Sequence, residues 1–305
     1  MKPLRLRNSL WFTALVLAVA LAASWLGNFA HGRRLEASFR GQGFARAAGC
    51  AETITREMAG MEQVAHDLTA ALNSGNLGPD QVPAALAKAL EGSPSTVLRL
   101  GVLFRPGTAG PGRHLFGPYA ERQGKGVHAY FYEDTADYSV KDWFRNEPWQ
   151  AGWGEPNFSH RGGWLTVDFT EPFQFPAADR PSGLVRLQVS LKSVQEIVDH
   201  LDLGTTGFAC LLSAKGTYMA HPMEDLVLSQ KSILDRADTP GEKRLADMVT
   251  RRSGGFTESS SSFTGQPTWV FLQRIPSLGW SVGLVYDQGA EHQMHPEDRR
   301  ALGIE

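Results

Sequence analysis

With 305 residues, 42% of them hydrophobic and 20% charged, the chain is long enough for two modest domains and apolar enough to give each a core. A net charge of −2 supplies no basic field, so nucleic acid is excluded as an expected partner. Cys50 and Cys210 are too few for a disulfide framework; they read as small buried residues, with pairing across a long stretch of sequence as the other option.

Residues 1–8 carry Lys2, Arg5 and Arg7 and are expected on the cytoplasmic side. Ser9 to Ala30 is uncharged and is followed by His31, Arg33 and Arg34. About 20 apolar residues cross a bilayer, so 9–30 is predicted to be a transmembrane anchor, with Trp11 and Trp25 near its interfaces. Ala22, Ala23 and Ser24 leave a cleaved signal peptide as the alternative. Either reading exports the rest. The expected location is the inner (cytoplasmic) membrane, crossed once, with the main domain periplasmic or extracellular.

Residues 31–75 are predicted to form one long signalling helix. Phe44, Ala47, Ala51, Ile54, Met58, Met61, Ala65, Leu68 and Leu72 recur at alternating steps of three and four. Such a stripe pairs with a second copy, giving a homodimer that moves against the membrane, or lies on the chain's own domain. Gly75, Asn76, Gly78 and Pro79 end it. Val82 to Leu90 is a short amphipathic helix. Strands are expected at 97–104, 115–119, 127–132, 164–170 and 184–191, then a helix at 193–201. A hairpin follows at 208–212 and 217–220. Residues 226–238 and 243–251 read as helical or mixed, and 254–263, 268–275 and 280–286 as three more strands. The serine run 259–262 reads as a solvated strand end. Residues 288–305 form a polar tail. The order fits an α+β fold with antiparallel sheets better than a wound parallel sheet.

The chemistry-bearing stretch runs from Tyr138 to Leu191. It contains YSVKDWF (138–144), WGEPNF (153–158), Gly162-Gly163-Trp164, Glu171-Pro172-Phe173 and GLVRLQVSL (183–191). Rings beside a fixed cation make a cup for a small anionic or polar ligand; core aromatics with a snorkelling lysine are the other reading. No nucleophile elbow, P-loop or H-E-x-x-H is present, so neither an enzyme, a metal site nor a cofactor is expected. His292 and His295 have ligand-like spacing but sit in the polar tail.

The order of these motifs resembles the double Cache sensor domains, the periplasmic modules of bacterial chemoreceptors and sensor kinases. Gly207 to Pro222 and Leu278 to Val282 resemble the hairpin and closing strand of the membrane-proximal module, so the likeness covers about residues 33–287. It implies a long helix carrying two PAS-like modules, membrane-distal at 76–202 and membrane-proximal at 203–287. It also implies a small molecule bound in the distal one. The implied ligand residues are Tyr138, Lys141, Trp143, Phe144, Asn157, Ser159, Asp168 and Gln188. Lys141 stands where the family's amino-acid-binding branch has arginine, and Phe144 where a tyrosine is usual. Asn157, Ser159 and Gln188 replace a tyrosine, an aspartate and an acidic residue. Asp168 supplies a counter-charge if it faces the pocket; with the usual acids missing, an ordinary α-amino acid is expected not to be the ligand or to bind weakly, and a small carboxylate or neutral polar molecule suits Lys141, Asn157, Ser159 and Gln188 better. Signalling would then pass through a partner protein or an output domain outside this stretch. A membrane-tethered solute-binding protein is the alternative function.

Overall fold

The computed structural model describes residues 4–288 apart from 125, 135, 160–163, 202, 204–206 and 261–264. Before residue 39 only the side chain of Trp25 is described, and the side chains of 134, 159, 164 and 236 also lie outside the described set. The anchor expected over 9–30 and nearly all of the polar tail, with His292 and His295, therefore fall outside the described residues. Among those described, no helix is long and apolar enough to cross a membrane. Contacts divide the chain into 47–293 and a unit made of 1–46 with 294–305; only the first is described below.

Helix α1 (Leu4–Asn73) is proline-free. Ala47, Ala51, Ile54, Met58, Met61, Ala65, Leu68 and Leu72 are all buried within the chain. Over 47–72 the stripe is therefore spent on the chain's own domain, because side chains already in a core have no surface left for a second copy. Gly75, at φ 75°, ends the helix in the left-handed region, and the Leu77 amide bonds back to the Ala71 carbonyl at 3.1 Å.

The first sheet comprises β1 (Val97–Phe104), β2 (Pro118–Gln123), β3 (Gly126–Phe131), β4 (Gly152–Trp153), β5 (Asn157–Ser159), β6 (Trp164–Phe173) and β7 (Gly183–Ser190). Its order is β3-β2-β1-β7-β6-β4, with β5 also on β6, and every pairing is antiparallel. Because strand side chains alternate, Leu100, Val102, Phe104, Phe169, Val185 and Leu187 share one face. On that face His66 of α1 meets the Phe169 ring edge-on at 5.6 Å and pairs with Glu171 at 2.8 Å. Arg122 there reaches the Leu90 carbonyl at the end of α2 (Val82–Glu91). Both helices thus cover this face. The opposite face carries Arg99, Tyr119, Tyr130, Asp168, Arg186 and Gln188.

The second strand begins later than expected and runs on through Glu121-Arg122-Gln123. These polar residues stay in the ladder because Glu121 pairs with Arg99 at 2.6 Å and Arg122 ties the strand to α2. Gly117 is held against the Tyr138 ring, where any Cβ would lie 2.8 Å from a ring carbon.

Helix α4 (Lys192–Asp199), which follows the four-residue α3 (Asp142–Arg145) in helix order, leads to the second sheet. That sheet contains β8 (Gly207–Leu212), β9 (Tyr218–Ala220), β10 (Gly255–Ser260), β11 (Pro267–Ile275) and β12 (Trp280–Asp287), ordered β10-β11-β12-β8-β9 and antiparallel throughout. Residues 226–238 split into α5 (Glu224–Leu228) and a 3-10 turn at Ile233–Arg236, because Gln230 between them adopts φ 49°. Helix α6 (Pro240–Thr250) starts at a capping box in which the Thr239 hydroxyl accepts from the Glu242 amide and the Glu242 carboxylate accepts from the Thr239 amide. Cys50 and Cys210 are both buried and both free, which removes the disulfide option. The architecture is α+β: a long helix with two antiparallel sheets.

Candidate functional site

Two arginines occupy the otherwise apolar central strands of the first sheet. From β7, Arg186 donates to Asp168 of β6 at 2.7 Å, and its guanidinium carbon lies 4.5 Å from the ring centre of Trp143 on α3. From β1, Arg99 pairs with Glu121 and lies 5.1 Å over the Tyr119 ring. Tyr119 in turn stacks on Tyr130 at 5.4 Å and meets Tyr132 at 4.6 Å. Burial is the largest single influence on Arg186 and opposes its charge, but Asp168 and Tyr132 together outweigh it and hold the pKa above its ordinary value. Arg99 follows the same pattern: burial is the largest single influence and lowers, but the hydrogen bonds and charges of Glu121 and Tyr132 together raise more, and the net direction is upward. Two polar atoms of this set, Arg99 Nε and Asp168 Oδ1, are buried with no hydrogen-bond partner in the protein. Two guanidiniums and two carboxylates make the cluster neutral overall. On one sheet face it sets charged donors and acceptors beside aromatic rings, the mixture that orients small polar ligands.

The residues expected from sequence fall into three groups. Asp168, Gln188 and Trp143 come together with Arg186: Asp168 and Gln188 are register partners on β6 and β7, and Trp143 lies over the arginine. Tyr138 and Phe144 instead support the segment that carries Trp143. Tyr138 is 1% exposed, and its hydroxyl donates to the Phe104 carbonyl at 2.7 Å and accepts from the Phe116 amide at 3.0 Å. Burial pushes its pKa up to about 12. Phe144 packs in the same cluster with Leu103 and Leu184. Lys141 and Asn157 are peripheral. The lysine is exposed and stands at the N-cap of α3, and Asn157 is exposed on short β5, donating to the Glu155 carbonyl at 3.1 Å. The side chain of Ser159 lies outside the described residues.

Sequence reading missed Arg99, Arg186, Tyr119 and Tyr130. A usable signal existed: Arg186 and Gln188 are two apart in GLVRLQVSL, and Arg99 is the one charge in VLRLGVLF. A charge inside an apolar strand must face something that compensates it.

No protein-family model matches the chain. It is 28% identical over 145 residues to the methyl-accepting chemotaxis protein PscA of Pseudomonas syringae pv. tomato, covering 48% of this chain and 21% of that protein. The chain therefore spans about a fifth of the length of this relative. Among solved structures, the extracellular domain of the histidine kinase mmHK1S-Z3 superposes with a TM-score of 0.67 at 20% identity, over 83% of this chain and 96% of that one. The ligand-binding domain of the Pseudomonas aeruginosa amino-acid chemoreceptor PctB, in complex with L-Gln, gives a TM-score of 0.57 at 21% identity, over 87% and 98%. All three are receptors or their sensory domains, and none is a tethered solute-binding protein. The chain has the double Cache fold of such extracellular sensory domains.

Proposed function

We propose that this chain is the extracytoplasmic sensory part of a bacterial membrane receptor, anchored by 9–30 in the inner membrane, and that it binds a small polar molecule on the open face of its first sheet. The observation that carries this reading is the pair of buried, unpartnered atoms, Arg99 Nε and Asp168 Oδ1, on a sheet face walled by Trp143 and Tyr119. Leaving such groups unpaired costs about 1–3 kcal/mol each, so a ligand that offers an acceptor to one and a donor to the other gains that much in return.

We take Asp168 as the counter-charge: it lies on the same sheet face as Arg186, which it pairs through one oxygen while the other has no partner. With that counter-charge, an α-amino acid becomes the ligand class we favour. A plain carboxylate brought to Arg99 would also meet Asp168, whereas a zwitterion turns its amine to Asp168 and its carboxylate to the arginines. The neighbour solved with L-Gln supports a zwitterionic ligand here. On this reading the domain, 76–202 distal and 203–287 proximal, binds without turnover. It signals through a homodimer, a partner protein or an output domain of a longer chain.

A thermal-shift panel of amino acids, amines and carboxylates on the detergent-solubilised chain tests it. Ligand bound only to the folded state adds RT ln(1 + [L]/Kd) to stability. A zwitterion should raise the melting temperature, and Asp168→Asn should abolish the rise. A response to plain carboxylates that persists in Asp168→Asn, or none across the panel from a folded protein, would reject the assignment.

A further inference from the structure

The second sheet has a cavity that the first-sheet site does not use. It has a volume of about 80 Å³ and lies between the sheet and α6. Its floor is two adjacent rows across the strands: Leu272, Gly283 and Cys210, then Val270, Val285 and Phe208. Leu245 of α6 closes it from above. Around it the packing is tight, with Leu212, Val270 and Leu272 at most 5% exposed.

The space persists for a structural reason. At Gly283, in the middle of one row, any Cβ would lie 2.7 Å from Cys210 Sγ, so no side chain can grow from that position to fill it. Over the floor, water is a poor occupant. A water needs about 10–15 Å³ and two to four polar partners, and the rows of Leu272, Gly283, Cys210, Val270, Val285 and Phe208 present no hydroxyl, amide or charged side chain to it. Polar side chains line other parts of the cavity: buried Thr268, half-buried Tyr218 and Ser259, and at the rim half-buried His221 and Glu242 with exposed Ser260. His221 Nδ1 accepts the Met223 amide at 3.0 Å, which leaves its ring proton on Nε2. Glu242 is held by the α6 cap, so its negative charge is fixed at the rim and disfavours anions.

We infer that this cavity is a second small-molecule site, for an uncharged one-ring compound whose single hydroxyl or amine meets the His221–Glu242 rim. It differs in chemistry from the first-sheet site, being apolar where that is ionic, and stands independently of it.

Phenol is the probe. The chain, methyl-labelled at Leu and Val in detergent, is titrated and followed by NMR. Saturable shifts are expected at Leu245, Val270 and Leu272, with Leu103 and Leu184 of the first sheet unmoved. Val285→Phe should fill the space, abolish those shifts and raise the melting temperature without phenol, because a filled void gains contacts while an overpacked core loses them. If that variant does not fold, Val285→Leu serves the same purpose with a smaller group. Absence of saturable shifts at these methyls, or their persistence in the filled variant, would overturn the inference. Silence of the first sheet toward amino acids would leave this titration unchanged, so the two readings fail separately.

Discussion

Tyr138 shows how a residue typical of a ligand pocket can be used to build its wall. The hydroxyl joins the Phe104 carbonyl to the Phe116 amide, and the ring meets Phe144 at 5.1 Å, fixing the segment that brings Trp143 onto Arg186. Its pKa, raised from 10.0 to about 12 by burial, gives a direct readout. The folded state keeps the proton that the unfolded state loses, so this stability is fully present below about pH 10 and is lost as pH climbs to about 12. Two pK units correspond to about 3 kcal/mol at most. Tyr138→Phe should cost about 1–3 kcal/mol at neutral pH, since it strands a buried amide and carbonyl, and should flatten the decline between pH 10 and 12. Denaturant unfolding from pH 8 to 12 checks both; parallel pH curves for the two proteins would contradict the assignment. At this scale sequence reading found the long strands, while the structure divides the expected side chains between the Arg186 face and the packing behind it. It named Tyr138 and Phe144 because rings near a cation suggest a cup, yet a ring's type does not tell which face of a loop it takes. Gln188 was named through the resemblance and Asp168 as a conditional counter-charge; alternation along β6 and β7 puts both on the same face as Arg186.

Between residue and molecule stands the six-residue stretch WGEPNF, which makes one of the links between the sheets. Its Gly154 amide donates to the Asp168 carbonyl at 2.8 Å, directly behind the candidate ligand face. Trp153 bonds to Glu62 of α1 and meets Trp280 of β12 at 5.9 Å. Glu155 accepts from Ser213 Oγ at 2.6 Å and from the Lys215 amide at 3.2 Å, both in the β8–β9 turn, and the Pro156 carbonyl accepts from Gln230 at 2.9 Å. Ser213 is buried, so Glu155→Ala strands its hydroxyl and should destabilise the fold by about 1–3 kcal/mol, with Glu155→Gln retaining part of that. A change below about 0.5 kcal/mol in urea unfolding would place Glu155 among ordinary surface residues. The role of this stretch was not legible in the sequence. Strands of two and three residues are too short to show a period, and nothing in W-x-E-P says that its carboxylate crosses to another sheet. The long strands β1, β6, β7, β11 and β12 were legible because burial makes them apolar runs. The helical stripe was legible in spacing but ambiguous in use, since alternate steps of three and four serve a partner helix and a sheet equally well.

For the molecule as a whole, the question is whether two sheets unfold as one. The links are few but are set in buried surroundings. The side chain of Trp280 is fully buried, and Gln195 of α4 donates to the Met219 carbonyl of β9 at 3.3 Å, a second tie beside the WGEPNF stretch. Helix α4 also puts Val194 and Val198 in the core immediately after β7, so the last strand of the first sheet continues into packing against the second. Separating the sheets would expose Trp280 and leave Glu155 facing solvent without its three donors in the β8–β9 turn. The expectation is a single cooperative transition in which tryptophan fluorescence and far-ultraviolet circular dichroism report the same midpoint. Trp153→Ala removes the ring that touches Trp280 and the indole that holds Glu62, so it weakens both ties at once without entering either sheet's centre. It should separate the transitions, the tryptophan signal of the second sheet moving first. Two distinct midpoints already present in the unaltered chain would mean that the sheets are energetically independent. Strain arising at Asp168 would then need a route other than the WGEPNF stretch to reach β12.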